Sequence, residues 1–354
     1  MSILQLYNAD AIGVAGTRIC ALSECSEATV RREINGAYYL EFKMPAGAQF
    51  ENEIRVGRAV KSTVNENKGT AYFIIKKRRR TLSGGMSVYA EHQSYYYDSV
   101  ILRGGGASAA ATSSLVFNQD VNSTHPSVSG LGTFTNSLTG KTTITKATPL
   151  VSSPTTLRAD LLGRLVKTFG GEYSFKGFNI SWLDRVGYNR GAVYRYGVNL
   201  TDMESEDVLD GYASGIFPYW GSLDPRTNTG IVTIDSWTLD YPGTYPLQVY
   251  KPVDFTKQFE TQPTPAQLLA AAQEYVAKNA PSGIPVSIKA SRARIEGDVI
   301  VGLGDTVTII NTPWGINQQT RIFALNFDPL RDITRDVEFG TVNTGFAGAV
   351  KDMK

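Results

Sequence analysis

The sequence is poor in the residues that carry most nucleophilic and metal chemistry. Its 354 residues include only two cysteines and two histidines. Cys20 and Cys25 stand far along the chain from His92 and His125, so the spacing does not suit a four-ligand zinc site. The motifs His-Glu-x-x-His and Gly-x-Ser-x-Gly do not occur. We therefore expect no metal, no cofactor and no enzyme activity, with structural thiols and a packed or hydrogen-bonded His92.

Long apolar runs and a strong net charge are also lacking. No stretch approaches the roughly 18 consecutive apolar residues of a membrane-spanning helix, and the N-terminus lacks the features of a signal peptide. Charged residues make up 19% of the chain, and the net charge is only +2. Such a balance gives no whole-molecule field that would attract nucleic acid or an anionic membrane. We expect a protein that folds in a cytoplasm and has no membrane span.

The residues that are present favour a mainly β protein with α insertions, an α+β fold. The 34 glycines suit many turns, and residues 38–43 alternate with a period of two. Residues 71–75 and 86–90 repeat this alternation on either side of a turn at 83–85, which predicts a hairpin. Further strands are predicted late in the chain, at residues 286–290, 306–310 and 322–327.

Two segments have the period of amphipathic helices. The first covers residues 156–169, carries one apolar stripe and is stopped by Gly170. The second covers residues 264–280. Thr264 is its predicted N-cap, and Gln267 is placed to complete a capping box.

Between these elements, residues 103–154 are rich in glycine, alanine, serine and threonine. We expect this region to be peripheral, to be the least rigid part of the chain and to be cut first in limited proteolysis. A Gly-x-Gly-x-x-Ala sequence begins at Gly104, and Asp120 follows near the distance of a ribose-binding acid. Residues 107–114 are too short for the crossover helix of a nucleotide site, so a flexible loop is favoured.

Two charged segments are candidates for contacts between subunits. A basic run could bind phosphates, but on a strand its side chains would split between two faces. A solvated strand end, or pairing with acidic residues of a neighbouring subunit, is therefore favoured. The acidic segment lacks the glycine and glutamate of an EF-hand loop at the sixth and twelfth positions. The candidate contact residues are Lys76, Lys77, Arg78, Arg79, Arg80, Asp202, Glu204, Glu206 and Asp207.

Several motifs follow one another in an order that resembles a known family. They are FIIKKRRRTLSGGMSVYAEH, TFGGE, GYNRG, YRYGVNL and the late segment GLGDTV…TRIFALNFDPLRD…VEFG. Together they resemble the prophage tail-hub family, the tail-tip or baseplate hub of phages with long flexible tails. The N-terminal parts of that family are similar to the central hub of contractile-tail baseplates.

The resemblance implies two barrel-like hub domains with inserted subdomains. Residues 1–97 would form the first barrel, 98–204 the inserted region and 205–354 the second barrel. It also implies a homotrimer at the virion tail tip, assembled in the host cytoplasm. This trimer would lie below the distal tail protein ring and would close or line the tail tube. The tape measure protein and receptor-binding or other tail-tip proteins would be further partners, and DNA would make contact only in transit.

Two other functions remain open from the residues. A tail-associated cell-wall hydrolase, either an endopeptidase or a glycosidase, could use acid pairs such as Glu204 and Asp207. A carbohydrate-binding adhesin is suggested by a tyrosine-rich surface. The tyrosines in question are Tyr95, Tyr96, Tyr97, Tyr241 and Tyr245. Zymography on purified peptidoglycan would separate the hydrolase from the structural hub.

Overall fold

The computed structural model describes most of the chain, and its residues form two compact units. One unit contains residues 1–204 and 288–354, and the other contains residues 205–287. The described residues are 3–65, 68–81, 85–102, 107–108, 111–139, 143–144, 148–149, 154–207, 213–222, 230–243, 247–256, 258–259, 261–279, 286–292 and 300–340.

The N-terminal part of the first unit consists of antiparallel strands. They are β1 (Gln5–Ala9), β2 (Ala15–Ala21), β3 (Glu27–Glu33), β4 (Tyr38–Met44), β5 (Ala59–Thr63), β6 (Thr70–Arg80) and β7 (Met86–His92). In β4 the side chains alternate between buried and more exposed positions, as the period of two predicts. The predicted hairpin is confirmed, because β6 pairs with β7 in antiparallel register. Ser83 and Gly84, which belong to its predicted turn, lie outside the described residues.

A second group of short elements follows in the same unit. Its strands are β8 (Ile101–Leu102), β9 (Ala107–Ser108), β10 (Ala111–Thr112), β11 (Thr124–His125), β12 (Phe134–Ser137), β13 (Thr143–Ile144), β14 (Thr148–Pro149), β15 (Thr155–Thr156), β16 (Glu172–Lys176) and β17 (Asn179–Leu183). Its helices are α1 (Ser113–Asn122), α2 (Leu157–Asp160) and α3 (Val166–Phe169), and a π-helical turn, Leu161–Leu165, joins α2 to α3. The predicted helix is thus confirmed. Thr156 caps its start by accepting from the Ala159 N–H at 3.3 Å.

These elements bury a core of their own. Trp182 is fully buried, and its ring lies against Phe117 of α1 at 5.7 Å and against Phe169 of α3 at 5.8 Å. Phe117 therefore anchors part of the 103–154 region to the fold. The low rigidity that the sequence predicts for this region stays a prediction. The glycines that begin its Gly-x-Gly-x-x-Ala sequence lie outside the described residues.

The chain then passes through β18 (Asn189–Arg195) and β19 (Leu200–Asp207) to the second unit. That unit consists of β20 (Gly215–Ser222), β21 (Gly230–Thr233), β22 (Leu239–Asp240), β23 (Tyr250–Asp254) and the helix α4 (Pro265–Asn279). Leu268 and Ala272 of α4 pack into a core with Trp220 of β20. The capping box is confirmed, because the Gln267 N–H donates to Thr264 Oγ1 and the Thr264 N–H donates to the Gln267 side chain.

The last strands return to the first unit. They are β24 (Val286–Arg292), β25 (Thr306–Asn311), β26 (Ile316–Asp328) and β27 (Ile333–Gly340). They complete a 13-stranded sheet in the order β19-β24-β27-β26-β3-β4-β7-β6-β5-β1-β2, with β25 beside β26 and β18 beside β25. The pairing of β26 with β3 joins strands from both predicted barrels in one sheet. The mainly β fold with α insertions is confirmed, whereas closure into two barrels stays a proposal.

Candidate functional site

A bulge in β6 determines where the basic run points. Ile75 lies opposite Ala90 on β7, yet Lys77 lies opposite Tyr89, so Lys76 is an extra residue in the ladder. Residues directly opposite each other share one face of the sheet. The bulge therefore resets the alternation of the residues that follow it.

Two of the five basic side chains turn toward the core side of the sheet. Arg78 lies opposite the buried Val88, and Arg80 lies opposite the buried Met86. The Arg78 guanidinium donates to a main-chain oxygen of the preceding loop at 2.8 Å. The Arg80 guanidinium forms a 3.0 Å ion pair with Glu51. Both arginines thus hold the loop before β5 within their own chain.

The other face carries what we call the outward basic pair, Lys77 and Arg79. The Lys77 ammonium lies 5.8 Å from the centre of the Tyr89 ring. In the part of the chain that the structure describes, neither residue of the pair has an ion-pair partner. Lys76 itself lies 3.8 Å from Glu91. The predicted split of the basic run between two faces is therefore confirmed.

The acidic segment contributes to a cleft of about 230 Å³. Asp202 and Glu204 on β19 are exposed, and Met203 between them is buried. Asp336 and Glu338 of β27 line the same cleft, which we call the acidic cleft. Sequence reasoning missed these two residues, because nothing in the sequence places β27 near β19.

The rest of the acidic segment cannot be placed in the same way. The side chains of Glu206 and Asp207 lie outside the described residues, and so does Asp210. Among the residues that the structure describes, no three histidine, cysteine or carboxylate side chains are grouped as metal ligands would be.

The acidic cleft and the outward basic pair share one face of the sheet. Asp336 lies opposite Asn326, Asn326 opposite Arg31, and Arg31 opposite Tyr39. The Tyr39 ring lies 5.2 Å from that of Tyr89, which is itself opposite Lys77. Along this face, from β27 toward β6, carboxylates come first, then the two tyrosines and then the basic pair.

Two of the motifs that suggested the resemblance meet in space. The GYNRG segment begins at Gly187, and the GLGD segment ends at Asp305. Gly187 and Gly304 both have positive φ, +80° and +83°. A Cβ atom on Gly187 would come closer than 3.0 Å to the main chain of Gly304, and one on Gly304 would come closer than 3.0 Å to the main chain of Val186. The two backbones can approach this closely only because both positions are glycine.

Asp305 fastens this junction. Its Oδ1 accepts from the Tyr188 N–H at 2.7 Å. Its Oδ2 accepts from the Gly302 N–H at 2.8 Å and forms an ion pair with Arg190 at 2.8 Å. Two of the motifs that suggested the resemblance therefore form one junction within the fold.

A buried ion pair ties the inserted region to the sheet. Arg321 of β26 contacts both carboxylate oxygens of Glu172 on β16, at 2.7 and 2.9 Å. Arg321 also donates to the main-chain oxygen of Val186 at 2.8 Å, and Glu172 accepts from the Val186 N–H at 2.7 Å. Two elements that are about 150 residues apart in the sequence are therefore held by one bidentate pair.

His92 is a packed histidine, as predicted. Its ring stacks on Tyr38 at 4.0 Å, and its Nδ1 lies 2.8 Å from Ser94 Oγ. Burial lowers the pKa of His92 to about 3, with a smaller contribution from the positive charges of Arg32 and Arg158. His92 is therefore neutral near pH 7.

The thiols are likewise poorly suited to nucleophilic chemistry. Cys20 and Cys25 are both free, and Cys20 is buried. Burial raises the pKa of the Cys25 thiol to about 11. Because the thiolate is the reactive form, Cys25 is almost entirely protonated near neutral pH.

A buried acidic pair was not predicted. Arg164 contacts Asp160 at 2.7 Å and Asp120 at 2.5 Å. Burial, opposed by the positive charge of Arg164 and assisted by the neighbouring Asp160, raises the pKa of Asp120 to about 7. The i, i+4 spacing of Asp160 and Arg164 was a usable signal, but nothing in the sequence links Asp120 to them.

The hypothesis of a tyrosine-rich surface is wrong for two of its residues. Tyr97 is fully buried and donates through its hydroxyl to the main-chain oxygen of Phe178. Tyr241 is also buried, in the core of the second unit. Tyr245 lies outside the described residues. A tyrosine ring is stable inside a core when its hydroxyl group has a hydrogen-bond partner. Composition alone therefore does not show whether a tyrosine is buried or exposed.

Solved structures share this fold. Prophage tail protein gp18 from Listeria monocytogenes EGD-e matches with a TM-score of 0.63 and 13% identity, over 96% of this chain and 94% of that chain. A tail protein from Neisseria meningitidis MC58 matches with a TM-score of 0.61 and 12% identity, over 97% of both chains. The chain has the fold of prophage tail proteins.

A third structure agrees with this result. The 43 kDa tail protein of prophage MuSo2 from Shewanella oneidensis has a TM-score of 0.61 and 13% identity, over 97% of this chain and 98% of that chain. No protein-family model and no curated protein matches the chain. The resemblance predicted from the motifs is confirmed in the fold.

Proposed function

We propose that this chain is a structural protein of a phage or prophage tail. The observation that carries the proposal is the match in fold to three tail proteins, which extends over 94–98% of their lengths. A neutral, buried His92 and a protonated Cys25 fit a structural role better than a hydrolytic one. Among the described residues, no helix is both long and apolar enough to cross a membrane.

More specifically, we propose a hub at the tail tip. Three copies would form a ring below the distal tail protein ring and would line or close the tube, with the tape measure protein and other tail-tip proteins as neighbours. A ring of identical subunits uses a heterologous contact, in which one surface of each copy meets a different surface of the next. The outward basic pair and the acidic cleft are two such different surfaces. The two barrel-like domains implied by the resemblance belong to this proposal.

The location of the protein in particles tests the proposal. Tails would be purified after induction of a strain that encodes a tagged copy, and the tip would be reconstructed by electron microscopy. Three copies coaxial with the tube are expected. A single copy attached to the outside of the tail would contradict the hub and would favour an adhesin, whereas absence from the particles would contradict the structural role altogether.

A further inference from the structure

The sheet face defined above separates charge along its length. At one end, the acidic cleft contains the exposed Asp202 and Glu204. Farther along the sheet, the outward basic pair projects from β6. In the strand order of the sheet, β19 and β6 are separated by six strands. At the usual spacing of about 4.8 Å between strands, this places the cleft and the basic pair roughly 34 Å apart along the sheet.

Several other charges of this face are already neutralised within the chain. Arg31 forms ion pairs with Glu33 at 2.6 Å and with Glu338 at 3.0 Å. Lys76 lies 3.8 Å from Glu91. Asp202 and Glu204, by contrast, form no ion pair within the described part of the chain. Asp202, Glu204 and the outward basic pair are therefore available to a partner.

We propose that the outward basic pair of one copy docks into the acidic cleft of a second copy of this chain. The proposal rests on the hub function, because it names the contact by which copies would join. The charge complementarity of the two surfaces identifies the occupant. In a ring, each copy would offer its basic pair to one neighbour and its acidic cleft to the other neighbour, which is a heterologous contact that can close.

The same face argues against a nucleic acid as the partner of the basic pair. An extended polyanion bound at Lys77 and Arg79 would pass over the carboxylate of Glu41 on β4, which lies opposite Tyr89. Repulsion from such groups weakens phosphate binding. A protein surface with localised carboxylates, such as the acidic cleft, avoids this repulsion.

The contact includes more than charge. Tyr39 and Tyr89 are half-buried in the middle of the face, and their rings pack against each other. Amphipathic rings of this kind contribute apolar area at interfaces. We expect the tyrosines to supply part of the affinity, while the charged groups determine which surfaces meet and make association sensitive to salt.

Charge reversal tests the pairing directly. Lys77→Glu with Arg79→Glu, or Asp202→Lys with Glu204→Lys, should weaken self-association at least about tenfold, measured by sedimentation equilibrium in low salt. The variant with all four changes should recover to within about threefold of the wild type. Arg18→Glu with Arg55→Glu, at exposed positions on β2 and in the loop before β5, is the matched control and should have little effect.

A disulfide cross-link gives an independent readout that does not depend on affinity. In a Cys20→Ser, Cys25→Ser background, Arg79→Cys with Glu204→Cys should give covalent oligomers that close at three copies on mild oxidation. Arg18→Cys with Glu204→Cys should remain largely monomeric. Equal cross-linking of both variants would overturn the proposal.

The remaining outcomes separate this proposal from the hub function. If both charge-reversed variants self-associate as strongly as the wild type, the docking proposal is overturned. The tail-tip location is tested separately, by the reconstruction of purified tails. A wild-type chain that is monomeric at every concentration and gives no cross-link also overturns the docking. DNA binding that is lost in the Lys77→Glu, Arg79→Glu protein would identify a different partner for the basic pair and would overturn the proposal too.

Discussion

Lys76 is a single inserted residue in β6, and it determines which of its basic neighbours remain available for a partner. Without the bulge, strict alternation from the buried Phe73 and Ile75 would turn Lys77 and Arg79 toward the core. With it, Arg78 and Arg80 take that direction and find partners in the neighbouring loop. One extra residue thus exchanges the two sets of side chains between the faces.

Gly304 offers a direct test of the motif junction. In Gly304→Ala, the new Cβ would meet the main chain of Val186 closer than 3.0 Å, at a φ of +83°. We expect a loss of at least about 2 kcal/mol in the free energy of unfolding, measured by urea denaturation.

Gly191 is the matched control for this change. It has a φ of +69°, but nothing lies within 4 Å of a Cβ placed there. Gly191→Ala should therefore show only the conformational cost, about 1 kcal/mol. Equal losses in the two variants would mean that the close approach of the backbones is not what Gly304 provides.

His92 should make the stability depend on pH. Its pKa is about 3 in the folded chain and about 6.5 in an unfolded one, so the unfolded state binds the proton first as the pH falls. Stability is then lost as the pH drops from about 6.5 toward 3. This residue alone should cost about 2 kcal/mol between pH 7 and pH 5.

The measurement compares unfolding free energies at several pH values in three proteins. His92→Phe, which keeps an aromatic ring beside Tyr38, should lack this part of the slope. His125→Gln replaces the only other histidine, which is exposed, and this variant should retain the pH dependence of the wild type. An unchanged slope in His92→Phe would show that other groups cause the acid sensitivity.

The start of helix α4 is determined by residues that are neighbours in the sequence. Its start depends on a capping box between Thr264 and Gln267, both within one turn of chain. We expect Thr264→Ala to lower the stability of the second unit by about 1 kcal/mol, measured by thermal unfolding. Thr261→Ala, at an exposed position just before the helix, should change it by less than about 0.5 kcal/mol.

No pattern of neighbouring residues in the sequence predicts the contact between β16 and β26. Removing one partner of the Glu172–Arg321 pair leaves a buried charge unpaired, so Glu172→Ala and Arg321→Ala should each cost about 3–5 kcal/mol. The double variant should lose clearly less than the sum, and a double-mutant cycle measures the difference.

An exposed ion pair provides the comparison. Lys43 lies 2.8 Å from Glu27, but more than half of each side chain is exposed to solvent. Its coupling energy should be much smaller than that of the Glu172–Arg321 pair, because solvent screens exposed charges. A similar coupling for both pairs would contradict the view that burial makes the Glu172–Arg321 contact strong.

The whole chain should not hydrolyse peptidoglycan. The buried, neutral His92 and the protonated Cys25 cannot act as base and nucleophile near neutral pH. We expect no clearing in a zymogram of the pure protein on a cell-wall gel. Clearing that disappears in Glu204→Gln or Asp207→Asn would instead establish the glycosidase alternative.

The overall architecture was only partly accessible from the sequence. Alternation in 38–43 and the apolar stripe of 156–169 predicted β4 and the α2–α3 helix, because both signals repeat within a few residues. The pairing of β26 with β3 joins residues almost 300 positions apart, and no local pattern encodes such a pairing. The burial of Tyr97 and Tyr241 escaped prediction for the same reason.

Local chemistry in the sequence determined the alternating strands such as β4, the α2–α3 helix, α4 and their caps, since each depends on neighbours within one or two turns of chain. The helix α1 was not predicted. Only the tertiary structure decided which charges are available. Arg80 is neutralised by Glu51, the carboxylates of β27 join those of β19 in one cleft, and Gly187 lies against Gly304. These relations depend on strand register and on long-range packing, where a shift of one residue reverses the direction of a side chain.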